Sequence, residues 1–150
     1  NIYLELSRYA LAEDYYRKAS KIEERDLGPD HPDIAITYFN LGRALAYQSH
    51  HSEAETYFRK TLDIELIALD QDDPELALTF LWLGECQSYQ KNFQQSEENL
   101  RKAYALQLTE YHENDPALER VLALLHQVLI ATGNTQEATE IHARLLALDK

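Results

Sequence analysis

The chain has 150 residues, 45% apolar and 27% charged, enough to pack one core or a short stack of helical units, and this excludes a disordered tail. Its 26 acidic against 14 basic residues give a formal charge of -12, which opposes nucleic-acid phosphates and anionic membrane surfaces and leaves basic or uncharged partners. One cysteine, Cys86, excludes a disulfide scaffold, and four glycines and four prolines confined to intervals favour long helices over strands and turns.

In chain order, the pattern predicts a helix through about residue 9 and a second over about 10–26. Gly28 to Pro32 is a charged turn. His31-Pro32 opens the next helix, about 33–48, with Asp30 or Asp33 sharing the capping. Ile34, Tyr38, Leu41 and Leu45 recur in it at helical spacing. After a break near Ser49 to His51, where His50 and His51 are expected in solvent, a helix runs over about 52–69. There Ser52 with Glu55 reads as a capping box. Asp73-Pro74 and Asp115-Pro116 read as an N-cap followed by proline at the first helical position, where its missing N–H costs nothing. They start helices over about 75–90 and 116–131, and further helices follow over about 94–111 and 135–148. Gly133-Asn134 suits a left-handed C-terminal turn. Cys86 lies beside Trp82 and Leu83 and is expected to be a buried thiol. No apolar run reaches the roughly 18 residues of a membrane span. The sequence has no methionine and opens inside a helical pattern, so a piece of a longer polypeptide is expected.

A single step of 42 residues relates these elements. It carries Pro32 to Pro74 to Pro116, Leu41 to Leu83 to Leu125, and Gly42 to Gly84. It also carries Ala12 to Ala54, Ser96 and Ala138, and Tyr16 to Phe58, Leu100 and His142. Short loops between the helices predict antiparallel pairs. Gly42 and Gly84 stand in mid-helix, where glycine costs roughly 1 kcal/mol against alanine. Close passage of the second helix of the same pair would account for that, with Ala54 and Ser96 at the crossing. Tyr16, Phe58 and Leu100 would fill space toward the next unit.

These residues, and the run LGPDHPDIAITYFNLGRAL followed by AETYFRKTLDIE, resemble the tetratricopeptide repeat, in the 42-residue variety found in kinesin light chains. The resemblance implies an all-α superhelix, a solenoid of stacked antiparallel helix pairs. It divides the chain into a partial repeat 1–31 and repeats at about 32–73, 74–115 and 116–150. His126 and His142 replace the glycine and the aromatic of the last pair, which predicts a looser or capping unit. The resemblance further implies a concave side lined by the first helix of each pair. By register that side carries Ile36, Phe39, Asn40, Arg43 and Tyr47; then Leu78, Leu81, Trp82, Glu85 and Tyr89; then Arg120, Ala123, Leu124, Gln127 and Ala131. In relatives, the asparagine at the place of Asn40 helps hold a peptide backbone; Trp82 and Leu124 stand there in the later repeats. Of the residues with which relatives clamp a C-terminal carboxylate, only Asn40 is present. The expected peptide-binding residues are therefore Asn40, Arg43, Tyr47, Trp82, Glu85, Tyr89 and Gln127.

The sequence carries no glycine-rich phosphate loop, paired-cysteine metal motif, nucleophile elbow or zincin motif. His112, His126 and His142 are far apart, and the Glu53/Glu55 and Glu97/Glu98 pairs fit solvated helix faces. The expectation is a non-enzymatic scaffold, without metal or cofactor, that binds a peptide or helix of a partner protein in a cytoplasmic setting. The alternatives are self-association or a spacer role, and a regulatory segment of a larger enzyme or signalling protein.

Overall fold

The computed structural model describes residues 2–148, with side chains from residue 4 onward. Seven α-helices make up the described chain: α1 Ile2–Leu27, α2 Pro32–Tyr47, α3 His51–Ala68, α4 Ala77–Tyr89, α5 Phe93–Gln107, α6 Glu119–Ala131 and α7 Thr135–Leu146. They fall into two compact units, Asn1–Gln71 with α1 to α3 and Asp72–Lys150 with α4 to α7. In the first unit α2 packs on both α1 and α3; in the second, α4 pairs with α5, α6 with α7, and α5 with α6.

Every helix that opens on proline is capped. His31 accepts the Asp33 N–H through Nδ1 at 3.2 Å, so the cap is the histidine itself and neither neighbouring aspartate. Asp73 accepts from Glu75 N–H at 2.9 Å, and Asp115 from Ala117 N–H at 2.8 Å, as expected. In the latter two the proline turn is a short 3₁₀ segment, Pro74–Leu76 and Pro116–Leu118, which tightens the entry before the α-helix begins.

The turn inside each pair is built the same way three times. The N–H groups of His50, Asn92 and Asn134 donate to the carbonyls of Leu45, Gln87 and Leu129, each at 2.9 Å. The residue before each of them is left-handed: Ser49 at φ 64°, Lys91 at 63° and Gly133 at 79°. This is the Schellman arrangement, which satisfies the last carbonyls of the first helix and reverses the chain. It also overturns one expectation. The turn places His50 at the N-cap and starts α3 at His51, so Ser52 lies in the first turn and no Ser52–Glu55 capping box forms.

The break expected near residue 9 does not occur either. Ser7 stands one repeat step before Ser49, yet it is helical, and α1 runs unbroken through Leu27. A left-handed residue costs roughly 1–2 kcal/mol, and packing of the two flanking helices repays it elsewhere. Among the described residues the helical hydrogen bonding of α1 continues through this position.

The mid-helix glycines lie at the helix crossings. A Cβ on Gly42 would stand 2.9 Å from Phe58 Cε1, and one on Gly84 would stand 2.6 Å from Leu100 Cγ and 3.2 Å from the Ser96 carbonyl oxygen. Phe58 and Leu100 therefore fill the gap inside their own pair rather than toward the next unit, which corrects that expectation. Ser96, where the preceding repeat has Ala54, donates its hydroxyl to the Gly84 carbonyl at 2.6 Å. In the last pair His126 and His142 occupy the equivalent places, with ring centroids 5.2 Å apart.

Arginines tie successive second helices together. Arg17 on α1 bonds Glu13 at 2.8 Å and Glu53 of α3 at 2.5 Å; Arg101 on α5 bonds Glu97 at 2.7 Å and Glu137 of α7 at 2.9 Å. Hydrogen bonding to Arg101 holds the Glu137 carboxyl below the usual glutamate range. A depressed folded-state value means stability that is present above the unfolded pKa, about 4.3, and lost as pH falls through the folded one. The groups are partly exposed, so screening limits the contribution to below about 1 kcal/mol. Glu137→Gln is accordingly expected to lower urea-unfolding stability slightly at pH 7, and its difference from wild type is expected to shrink as pH falls below the unfolded glutamate range.

Candidate partner-binding face

In the first unit the structure brings three of the expected residues into one place. Asn40, Arg43 and Tyr47 of α2 line a cavity of about 150 Å³ with Tyr9, Ala12 and Tyr16 of α1 and with Ala44. Tyr47 is 44% exposed and stacks on Tyr9, with ring centroids 4.5 Å apart and planes 17° from parallel. Arg43 is exposed at the rim. Phe39 is half-buried and meets Phe58 edge-on at 5.5 Å, while Ile36 is 65% exposed. Tyr9 was not among the expected site residues. Its signal was its spacing with Ala12 and Tyr16, three and then four residues apart, which puts all three on one side of a helix only if that helix is unbroken.

The second unit treats its expected residues differently. Trp82 is 5% exposed, and the Arg120 guanidinium lies 4.0 Å from its ring centroid. Arg120 in turn donates to the Glu85 carboxylate. Trp82, Glu85 and Arg120 thus form a cation sandwiched between an aromatic face and a carboxylate, an arrangement that satisfies its own charges. Leu81 and Leu124 are buried packing residues. Tyr89, 62% exposed, and Gln127 remain at the surface.

A second cavity of about 250 Å³ lies in the same unit, lined by Arg101, Tyr104, Glu137, Glu140 and Arg144 with Leu125 and Ile141. Its cations are engaged: Arg101 with Glu97 and Glu137, and Arg144 with the Tyr104 hydroxyl at 2.7 Å. Among the described residues no three metal-ligating side chains cluster, and no helix is long and apolar enough to cross a membrane.

Comparison with known proteins agrees with the repeat architecture. Two tetratricopeptide repeat family models match, one over residues 1–64 and one over residues 121–150. No curated protein matches the sequence. Among solved structures, a Podosopora anserina protein named for kinesin light chain and its nearly identical TPR-like repeats superposes with a TM-score of 0.84 at 20% identity, over 97% of this chain and 69% of that one. BtubC (BKLC) from P. vanneervenii gives a TM-score of 0.76 at 21% identity, over 96% of this chain and 60% of that one. The fold is thus an all-α solenoid of antiparallel helix pairs close to those of kinesin light chain-like repeats. With both ends matched by the same repeat and the residues between them carrying it on the same step, the chain belongs to the tetratricopeptide repeat family.

Proposed function

We propose that the chain is a non-catalytic protein-interaction module that holds a peptide or helical segment of a partner on the side carried by its first helices. The observation that supports this best is the α1–α2 cavity. Its size, about 150 Å³, falls short of the roughly 300–1,000 Å³ typical of small-molecule sites. It suits one side chain of a longer ligand. The stacked Tyr9 and Tyr47 rings give an apolar wall at low entropic cost, while the Asn40 amide and the Arg43 guanidinium can meet the carbonyls of an extended backbone. The net charge of -12 favours an apolar or basic segment over an acidic one and opposes nucleic acid.

Peptides selected from a displayed random library against the chain provide the test. Arg43→Ala combined with Tyr47→Ala is expected to weaken the selected peptide at least about tenfold in fluorescence anisotropy. Helical content by circular dichroism stays unchanged. Unaltered affinity would remove this cavity from the binding face.

A further inference from the structure

The cavity of about 250 Å³ in the second unit is walled by α5 and α7 and floored by α6, so it is complete within the described residues. Its polar lining comes from second helices, whereas the proposed partner-binding side is carried by first helices. Its size falls below the roughly 300–1,000 Å³ of small-molecule sites and suits one long side chain. Leu125 and Ile141, both buried, offer aliphatic surface at the floor. Around them the charges do not balance. Arg101 is held between Glu97 and Glu137. Arg144 donates to the Tyr104 hydroxyl at 2.7 Å, with Glu113 and Glu140 acting on it through space. Four carboxylates thus stand around two guanidiniums. Glu140 is exposed, and among the described residues it has no hydrogen-bond or ion-pair partner.

The repeat register shows what such a place holds when the chain fills it itself. Arg17, Glu53, Tyr57 and Lys60 stand two repeat steps before Arg101, Glu137, Ile141 and Arg144. Arg17 bonds Glu53 as Arg101 bonds Glu137. The Lys60 ammonium lies 5.4 Å from the Tyr57 ring centroid and 4.9 Å from that of Tyr38. A tyrosine ring and a lysine therefore occupy this place in the first unit. In the second unit Ile141 brings no ring, and Arg144 is drawn to Tyr104, where the first unit has only Ser20. The groove loses its internal lysine and keeps its carboxylates.

We infer that this cavity docks a lysine side chain from a basic segment of a partner protein. The aliphatic stem lies on Leu125 and Ile141, and the ammonium reaches Glu140 at the rim. Neither arginine has to give up its bonds. A carboxylate or phosphate entering the same space would meet the excess of negative charge, and the net charge of -12 steers basic segments toward the chain.

NMR titration of the isotope-labelled chain with Nα-acetyl-lysine methylamide tests the site. Amide shifts are expected to be confined to residues around Tyr104, Glu140 and Arg144. They are expected to saturate with a Kd of about 1–10 mM, as suits a single side chain, and to weaken as salt rises. The norleucine analogue, which lacks the ammonium, is expected to bind at least about fivefold more weakly, and Glu140→Gln to weaken the lysine probe as much. Arg43→Ala combined with Tyr47→Ala is expected to leave this titration unchanged, so the first-helix cavity and this one are read separately. Absent shifts, shifts spread over the whole acidic surface, an equal response to the norleucine analogue, or wild-type binding by Glu140→Gln would each overturn the inference.

Discussion

Replacing Trp82 with alanine is expected to destabilise the second unit by about 3–5 kcal/mol, the range for deleting a buried large aromatic. The indole is 5% exposed, and its removal leaves a cavity that helices fixed by their own hydrogen bonds cannot close. It also takes the aromatic face from under Arg120, 4.0 Å away, and leaves the Glu85–Arg120 pair without that support. Urea unfolding followed by circular dichroism measures the effect. In the wild-type chain, emission from Trp82, the only tryptophan, reports on the same unit. A loss below about 1 kcal/mol would mean the ring is not packed as described. The sequence placed Trp82 among the peptide-binding residues, on a face shared with Arg43. In the structure its packing role comes first, so a binding defect in Trp82→Ala would report unfolding as much as recognition. Arg43 and Tyr47 avoid that confusion, because both are exposed and line a cavity.

Features that a single helix or turn decides were legible in the sequence. Asp73 and Asp115 cap their helices through bonds to the backbone two residues on, which needs no tertiary partner. Gly133 and Asn134 announced their turn by composition. Ser49 and Lys91 did not, although both take the same left-handed conformation in the same step. At those two places the turn is imposed by the helices packing on either side, and a side chain chemistry suited to it is dispensable. Ser7 resembles Ser49, yet the described α1 stays helical through it, so a serine at that register does not by itself mark the turn. The candidate face suffered from a related gap. Register identified which helix side each residue occupies, and it grouped Asn40, Arg43 and Tyr47, which line one cavity. It did not show that Arg120 reaches back from α6 to cover Trp82 on α4, because that contact depends on long side chains crossing between helices. The arginine bridges were legible in principle. Arg17 and Arg101 each meet a glutamate four residues before and another thirty-six residues after, so a pair table built on the repeat step would have exposed them.

Gly84→Ala is expected to cost about 2 kcal/mol even though alanine is the better helix former by roughly 1 kcal/mol. The added Cβ would stand 2.6 Å from Leu100 Cγ and 2.8 Å from Leu100 Cδ2, closer than carbon atoms approach. Leu100 is fully buried and has no room to swing away. Separating α4 from α5 instead would stretch the 2.6 Å bond from Ser96 to the Gly84 carbonyl. Gly42→Ala meets only the edge of the Phe58 ring, at 2.9 to 3.1 Å, and a small tilt of that ring relieves part of the clash, so its cost is expected to be smaller. A double-mutant cycle isolates the contact. Leu100→Ala alone is expected to cost about 2–5 kcal/mol by leaving a cavity. In Gly84→Ala/Leu100→Ala the new methyl enters that space, so the double variant is expected to be more stable than the sum of the singles by at least about 1 kcal/mol. Gly84→Ala that proves neutral or stabilising would show that the two helices do not pass as closely as described. The last repeat already carries the paired form of this change. Where the glycine gives way to His126, the bulky apolar partner gives way to His142, and the two rings share the space at 5.2 Å.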